Sequence, residues 1–285
     1  MTMRDLPAAN AATRPGLRSE ISVTALSRWN PEVRAAAADD EDATISILEQ
    51  IGEDWWTGGG VTAKRVAAAL RQIGKKDVTV TINSPGGDYF EGLAIYNMLR
   101  EHPAKVTVKV LGIAASAASV IAMAGDEVRI ARAGFLMIHN TWVIAGGDRH
   151  SLRDVADWLE PFDNTAVDIY AARTGMDEKA IGKMLDRETW IGGKEAVDQG
   201  FADDFLPSDE VATAAKNSAD GKPVVAAHKI DSLLAKAGIA KSERRELLAA
   251  MKGSTSSAAP TGMSGAAVVA EVEDLLNSIK SIRTV

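Results

Sequence analysis

Three short stretches of this 285-residue chain hold groups suited to nucleophilic acyl transfer: Asn83-Ser84-Pro85-Gly86-Gly87, Gly112-Ile113-Ala114-Ala115-Ser116 and Met137-Ile138-His139. Each lies after or at the end of a run that reads as a β-strand. The paired glycines permit positive φ and close backbone approach, so their amides can face an anion. Ser116 sits among small residues at the start of a predicted helix, where free N–H groups favour developing negative charge. His139 supplies an imidazole. An amide-lined turn, a hydroxyl and an imidazole are the parts that acyl transfer by a serine nucleophile requires.

Ser119, one helical turn beyond Ser116, is the rival nucleophile; the helix start favours Ser116. The chain has four histidines. His102 precedes Pro103 at a predicted helix end, His150 lies in a Gly-Gly-Asp-Arg loop, and His228 lies in the tail. That leaves His139 as the candidate general base. A third group should orient the imidazole, and Asp186-Arg187-Glu188-Thr189-Trp190 offers two carboxylates, Asp186 and Glu188.

Composition narrows the setting. With 46% hydrophobic residues, the chain supports one core of about 150–200 residues plus extensions. Net charge is −7 and basic residues are scattered, so no nucleic-acid surface is expected. The chain has no cysteine, which excludes disulfides, thiolate catalysis and cysteine-type zinc sites and fits a reducing compartment. The first thirty residues are polar and lack the apolar segment of a secretory leader. The longest apolar run, Leu111 to Gly125, is shorter than the roughly 20 residues that span a bilayer. No membrane association is expected, and the expected location is the cytoplasm.

The chemistry-bearing residues need elements to place them. Residues 1–43 read as a flexible arm, with order beginning at the alternating strand Ala43 to Leu48. A helix from Thr62 to Ile73 follows, then a strand from Val78 to Ile82. A helix over Gly92–Glu101 is stopped by Pro103. Next come a strand over Val106–Leu111, a small-residue helix over Ala114–Ala124, and short strands over Glu127–Ala131 and Phe135–Ile138. Strand and helix alternating at this spacing predict an α/β layer with right-handed parallel crossovers. A long helix spans Ser151 to Thr174, with Pro161 as an expected kink. Shorter helices span Asp177–Leu185 and Lys194–Gln199, separated by the extended pair Trp190-Ile191. Beyond Phe205, Pro207–Pro223 reads as linker, Ile230–Ala235 and Arg244–Met251 as short helices, and Ser254–Gly265 as a polar spacer. Val268, Val272, Leu275, Leu276, Ile279 and Ile282 form an apolar stripe at helical spacing that needs a partner.

Taken together and in order, NSPGG, GIAAS, MIH, the Asp186-Arg187-acid segment and Glu195-Ala196-Val197-Asp198-Gln199-Gly200-Phe201-Ala202-Asp203 resemble the Clp protease proteolytic-subunit (ClpP) family. The resemblance covers about residues 44–206. It implies a ClpP/crotonase-like α/β fold with a long handle helix, flanked by the arm and by a C-terminal extension over 207–285. It also implies a serine peptidase with no metal or organic cofactor. Carried over by position, Ser116 is the nucleophile, His139 the general base, and Gly87 and Ala117 the oxyanion donors. Counting back from Glu195-Ala196 puts the acidic member on Glu188, where the family usually has Asp; Asp186 is the fallback. Asp186-Arg187 resembles the charged pair that joins rings in the family, which implies a ring-like homo-oligomer and an ATPase as a conceivable partner. Ile144-Ala145-Gly146-Gly147 resembles the handle region. The long extensions, Asp54-Trp55-Trp56 and Glu188-Thr189-Trp190 look more like the phage-encoded branch, the head maturation proteases. Those act on capsid or scaffold protein inside proheads, and the tail would then be scaffold-like. The rival readings are a housekeeping subunit working with an ATPase, an inactive crotonase-fold assembly protein, and an acyl-CoA hydratase.

Overall fold

The computed structural model describes residues 21–35, 43–54, 57–207, 211–213 and 221–255. Asp54-Trp55-Trp56 is described only at Asp54, and the apolar stripe at 268–282 lies outside these residues.

The first element among the described residues is α1 (Val23–Arg28), capped by the Ser22 side chain, followed by β1 (Val33–Ala35). This corrects the expectation that order begins at Ala43. Ile21, Ala25, Leu26 and Trp29 are buried, and the Trp29 indole N–H donates to Asn83 O at 2.9 Å. Part of the arm is therefore packed structure. The chain then forms β2 (Thr44–Ile47), α2 (Ala63–Ile73), β3 (Val78–Ser84), α3 (Tyr89–Arg100) and β4 (Val106–Ala115). Next come α4 (Ala117–Ala122), β5 (Glu127–Ile130), β6 (Phe135–Ile138), α5 (Arg149–Thr174), α6 (Glu178–Asp186) and β7 (Thr189–Gly192). α7 (Gly193–Asp198), β8 (Asp204–Phe205) and β9 (Val211–Thr213) complete this part. These elements group in one compact unit, so the described arm residues 21–35 go with the peptidase core, as does β9 beyond residue 206.

The main sheet has the order β2-β3-β4-β5-β8, all parallel. β4 carries two partners. Its first half pairs with β5 and its second half with β6, and β6 pairs antiparallel with β7. A strand this long was not expected from the sequence, where Ala114 onward read as helix. The β3–β4 register shifts at Asn83. There Asn83 Oδ1 accepts the Ile113 N–H at 3.1 Å and its Nδ2 donates to Asn30 O at 2.7 Å, so a side chain satisfies the ladder where the backbone departs from it. Val80, Ile82, Val108, Val110, Val128 and Ile130 are fully buried, as strands covered on both faces require.

α5 is unbroken through Pro161. It rests on α3 through Phe90, Trp158 and Phe162, whose ring centroids lie 4.9–5.6 Å apart. Its far end is tied by Arg173, whose fully buried side chain pairs with Asp203 and donates to Gly125 O at 3.0 Å. Asp203→Ala is expected to remove the counter-charge of that buried guanidinium and cost about 3 kcal/mol or more, read as a fall in the denaturant midpoint.

The second unit, described by itself, holds α8 (Gly221–Lys236) and α9 (Lys241–Thr255). Gly238 at φ +80° ends α8. Arg244 reaches back to Asp231 at 3.3 Å, and Ile230, Leu234 and Leu248 are buried. Both helices are longer than the sequence reading gave.

Candidate active site

The site gathers at the carboxyl ends of β3, β4 and β6, where open parallel sheets commonly place their ligands. β4 ends at Ala115, and the chain turns sharply into α4 through Ser116, at φ 55° and ψ −125°. A non-glycine residue holds such a conformation only when its surroundings over-determine it. Ser116 N–H donates to Met137 O at 2.8 Å, which ties the turn to β6. Two residues later β6 delivers His139, whose Nε2 lies 2.6 Å from Ser116 Oγ. In the tautomer with the ring proton on Nδ1, Ser116 donates to His139 Nε2, the contact a general base needs. Both residues are half-buried.

Gly86 and Gly87 bring the β3 turn against the hydroxyl. A Cβ on Gly86 would lie 2.8 Å from Ser116 Cβ and 2.5 Å from Ala115 O. One on Gly87 would lie 2.2 Å from Ile51 O. Both have positive φ, so this approach needs glycine twice. The Ala117 amide opens α4 immediately after Ser116.

The antiparallel register decides where the two carboxylates fall. The ladder ends where Ile138 pairs with Thr189, the chain neighbours of His139 and Glu188, and the Glu188 charge reaches the imidazole. Glu188 is half-buried and holds φ +50°. Trp190 Nε1 donates to its Oε1 at 3.4 Å, and Arg28 stacks 4.2 Å over the Trp190 ring. Asp186 and Arg187 are exposed, and Asp186 accepts from Asn140 Nδ2 at 2.8 Å. Burial pushes the His139 imidazole below its ordinary value, and the Glu188 charge works against that fall.

Ser119 is fully buried and hydrogen-bonded, with no access to a substrate. The other histidines lie elsewhere; His102 Nε2, for example, contacts Lys76 O at 2.8 Å. A narrow cleft of about 10 Å³ beside Ser116 and His139 is lined by Tyr89, Val120, Thr141, Trp142, Ala166 and Tyr170. A larger hollow along β2 and α2 includes Glu49 and Arg65 but no imidazole, so it lacks the base that acyl transfer needs. Sequence reasoning passed over Trp29 and Tyr170. The indole and phenol of such residues read as ordinary core until their hydrogen bonds are seen. Among the described residues, no group of three or more His, Asp or Glu is placed to hold a metal ion. Among them too, no helix is long and apolar enough to cross a membrane.

The family model for Clp protease matches residues 42–209. The ATP-dependent Clp protease proteolytic subunit 3 of Rhodococcus jostii is 35% identical over 136 residues, 47% of this chain and 67% of the relative. The ATP-dependent Clp protease proteolytic subunit of Ligilactobacillus salivarius is 34% identical over 172 residues, 58% of this chain and 84% of the relative. Subunit 3 of Streptomyces coelicolor is 32% identical over 155 residues, covering 52% and 71%. The match begins just before β2 and takes in every element described above that carries Ser116, His139, Gly87 and Glu188, so the chain belongs to the Clp protease family of serine peptidases.

Proposed function

We propose that this protein is a head maturation endopeptidase that cleaves the capsid or scaffold protein of a tailed phage within the prohead. The observation that carries the chemistry is the 2.6 Å contact between Ser116 Oγ and His139 Nε2, at a turn whose strained backbone is held on both sides. In the proposed sequence, His139 takes the Ser116 proton as the oxygen attacks a peptide carbonyl. The Gly87 and Ala117 amides hold the oxyanion. The protonated imidazole, stabilised by Glu188, gives its proton to the leaving amine. Water, activated by the same imidazole, then releases the acyl group. Asp186 serves instead in a ring-to-ring contact with Arg187, and the working enzyme is a homo-oligomer. The domain reading is an arm, a peptidase core, and a C-terminal segment that addresses the enzyme to its substrate.

The phage assignment is supported by the segments outside the family match, α1 and β1 before it and α8 and α9 after it. It is tested by co-expressing the full chain with the candidate capsid protein and weighing both products by mass spectrometry. Clipping of the capsid protein with no unfoldase present supports the reading; an intact capsid protein beside a peptidase that cleaves only when an ATPase ring is added overturns it. That second outcome is the housekeeping reading, which the names of the curated relatives favour.

The proposed base also predicts a pH profile. Because burial lowers the His139 pKa, the acid limb of kcat/KM is expected below the ordinary imidazole value of about 6.5. Glu188→Gln removes the opposing charge and should move that limb lower still, with a fall in kcat. The same depression affects stability. The unfolded chain binds the His139 proton first as pH drops, so its contribution is full above about 6.5 and is lost toward the folded value.

A further inference from the structure

Two buried hydroxyls meet beneath the nucleophile turn and have no step in the acyl-transfer sequence. Ser119 Oγ lies 2.6 Å from Ser116 O, 2.9 Å from Met137 O and 2.8 Å from Tyr170 OH. Ser119 and Tyr170 are both buried, with 0% and 2% of their surface exposed. The proton positions follow from inventory. Carbonyl oxygens only accept, and a serine hydroxyl has one proton. That proton therefore goes to a carbonyl, the shorter contact being Ser116 O, and the Tyr170 O–H donates to Ser119 Oγ. Burial raises the Tyr170 phenol, so it keeps its proton at any working pH.

Ser116 C=O and Ala117 N–H are the two ends of one planar peptide unit. Fixing the carbonyl end fixes the direction of the amide. The Ser116 carbonyl also accepts the Ser119 and Val120 N–H groups at 2.9 and 3.3 Å, and the Ser119 hydroxyl at 2.6 Å is its shortest hold, on a residue kept at φ 55°, ψ −125°. The same serine oxygen lies against Met137 O, the carbonyl that accepts the Ser116 N–H. Tyr170 belongs to α5, so the contact runs from the long helix to the turn.

We propose that Ser119 and Tyr170 are positioning residues that aim the Ala117 amide at the oxyanion, making α5 part of the oxyanion site. The proposal rests on the assignment of Ala117 as an oxyanion donor. Neither hydroxyl touches the substrate. Their loss should reduce the rate of attack and leave binding unchanged.

The test uses the full chain, a fluorophosphonate probe and a thermal midpoint. Ser119→Ala is expected to lower the maximal labelling rate of Ser116 about 10- to 100-fold, with the concentration for half-saturation unchanged. It also leaves the Tyr170 hydroxyl without its acceptor, so the midpoint falls. Tyr170→Phe should lower the rate less, about 10-fold. The double variant Ser119→Ala, Tyr170→Phe removes both polar groups together. It should recover stability relative to Ser119→Ala while its labelling rate stays low. A rate that recovers along with stability would show that the pair only supports the fold, and so would wild-type rates in both single variants. If Ser116→Ala still labels at the wild-type rate, the nucleophile assignment itself fails. Loss of labelling in Ser116→Ala beside normal rates in the double variant overturns the positioning role alone.

Discussion

Ser116→Ala is expected to lower peptide hydrolysis by at least about 10⁴-fold while leaving the fold and its assembly intact. The substitution removes one oxygen and keeps the Cβ that packs against Gly86. It leaves untouched the Ser116 N–H bond to Met137 O and the Ser116 carbonyl that accepts from Ser119. Alanine tolerates φ 55° about as poorly as serine, so the strain is common to both. Hydrolysis of a fluorogenic peptide, labelling by a fluorophosphonate and size-exclusion elution give three separate readouts. Lost turnover and lost labelling with an unchanged elution volume support the assignment. Retained labelling at any other serine refutes it.

Gly87→Ala should lower kcat/KM by about 10²–10³-fold, the loss that follows removal of one oxyanion donor. The added methyl would sit 2.2 Å from Ile51 O and 3.0 Å from Ile51 C, and both are backbone atoms that cannot step aside. The loop must move instead, and its amide leaves the oxyanion. The native φ of +146° adds strain for any side chain. Gly182→Ala is the matched control. It lies in the interior of α6, where a Cβ meets nothing within 4 Å. Helix propensity there favours alanine by about 1 kcal/mol, so activity should persist with a small gain in stability. Equal activity in the two variants would remove Gly87 from the oxyanion site.

Much of this geometry was legible in the residues. Runs such as Val78–Ile82 and Phe135–Ile138 announce buried strands, and glycines and polar groups mark where they stop. Scarcity singled out His139. Ser116 was separable from Ser119 by its position at a helix start and by the family resemblance; that Ser119 is sealed inside was not legible. What the sequence hid has physical causes. Leu111–Ala124 is made of small apolar residues with no decisive period, so the extension of β4 through Ala115 read as helix. The choice between Asp186 and Glu188 depends on the register of β6 against β7, and register is a tertiary property. In the arm, Ile21, Ala25 and Leu26 are apolar residues in a polar stretch, and their burial depends on distant neighbours.

The two-stranded ladder of β1 with β9 pairs Val33 with Thr213 and Ala35 with Val211. One strand precedes the peptidase core and the other follows it. The antiparallel register sets Val33, where β1 begins, beside Thr213, where β9 ends, so an incoming and an outgoing stretch of backbone are clasped together at that edge.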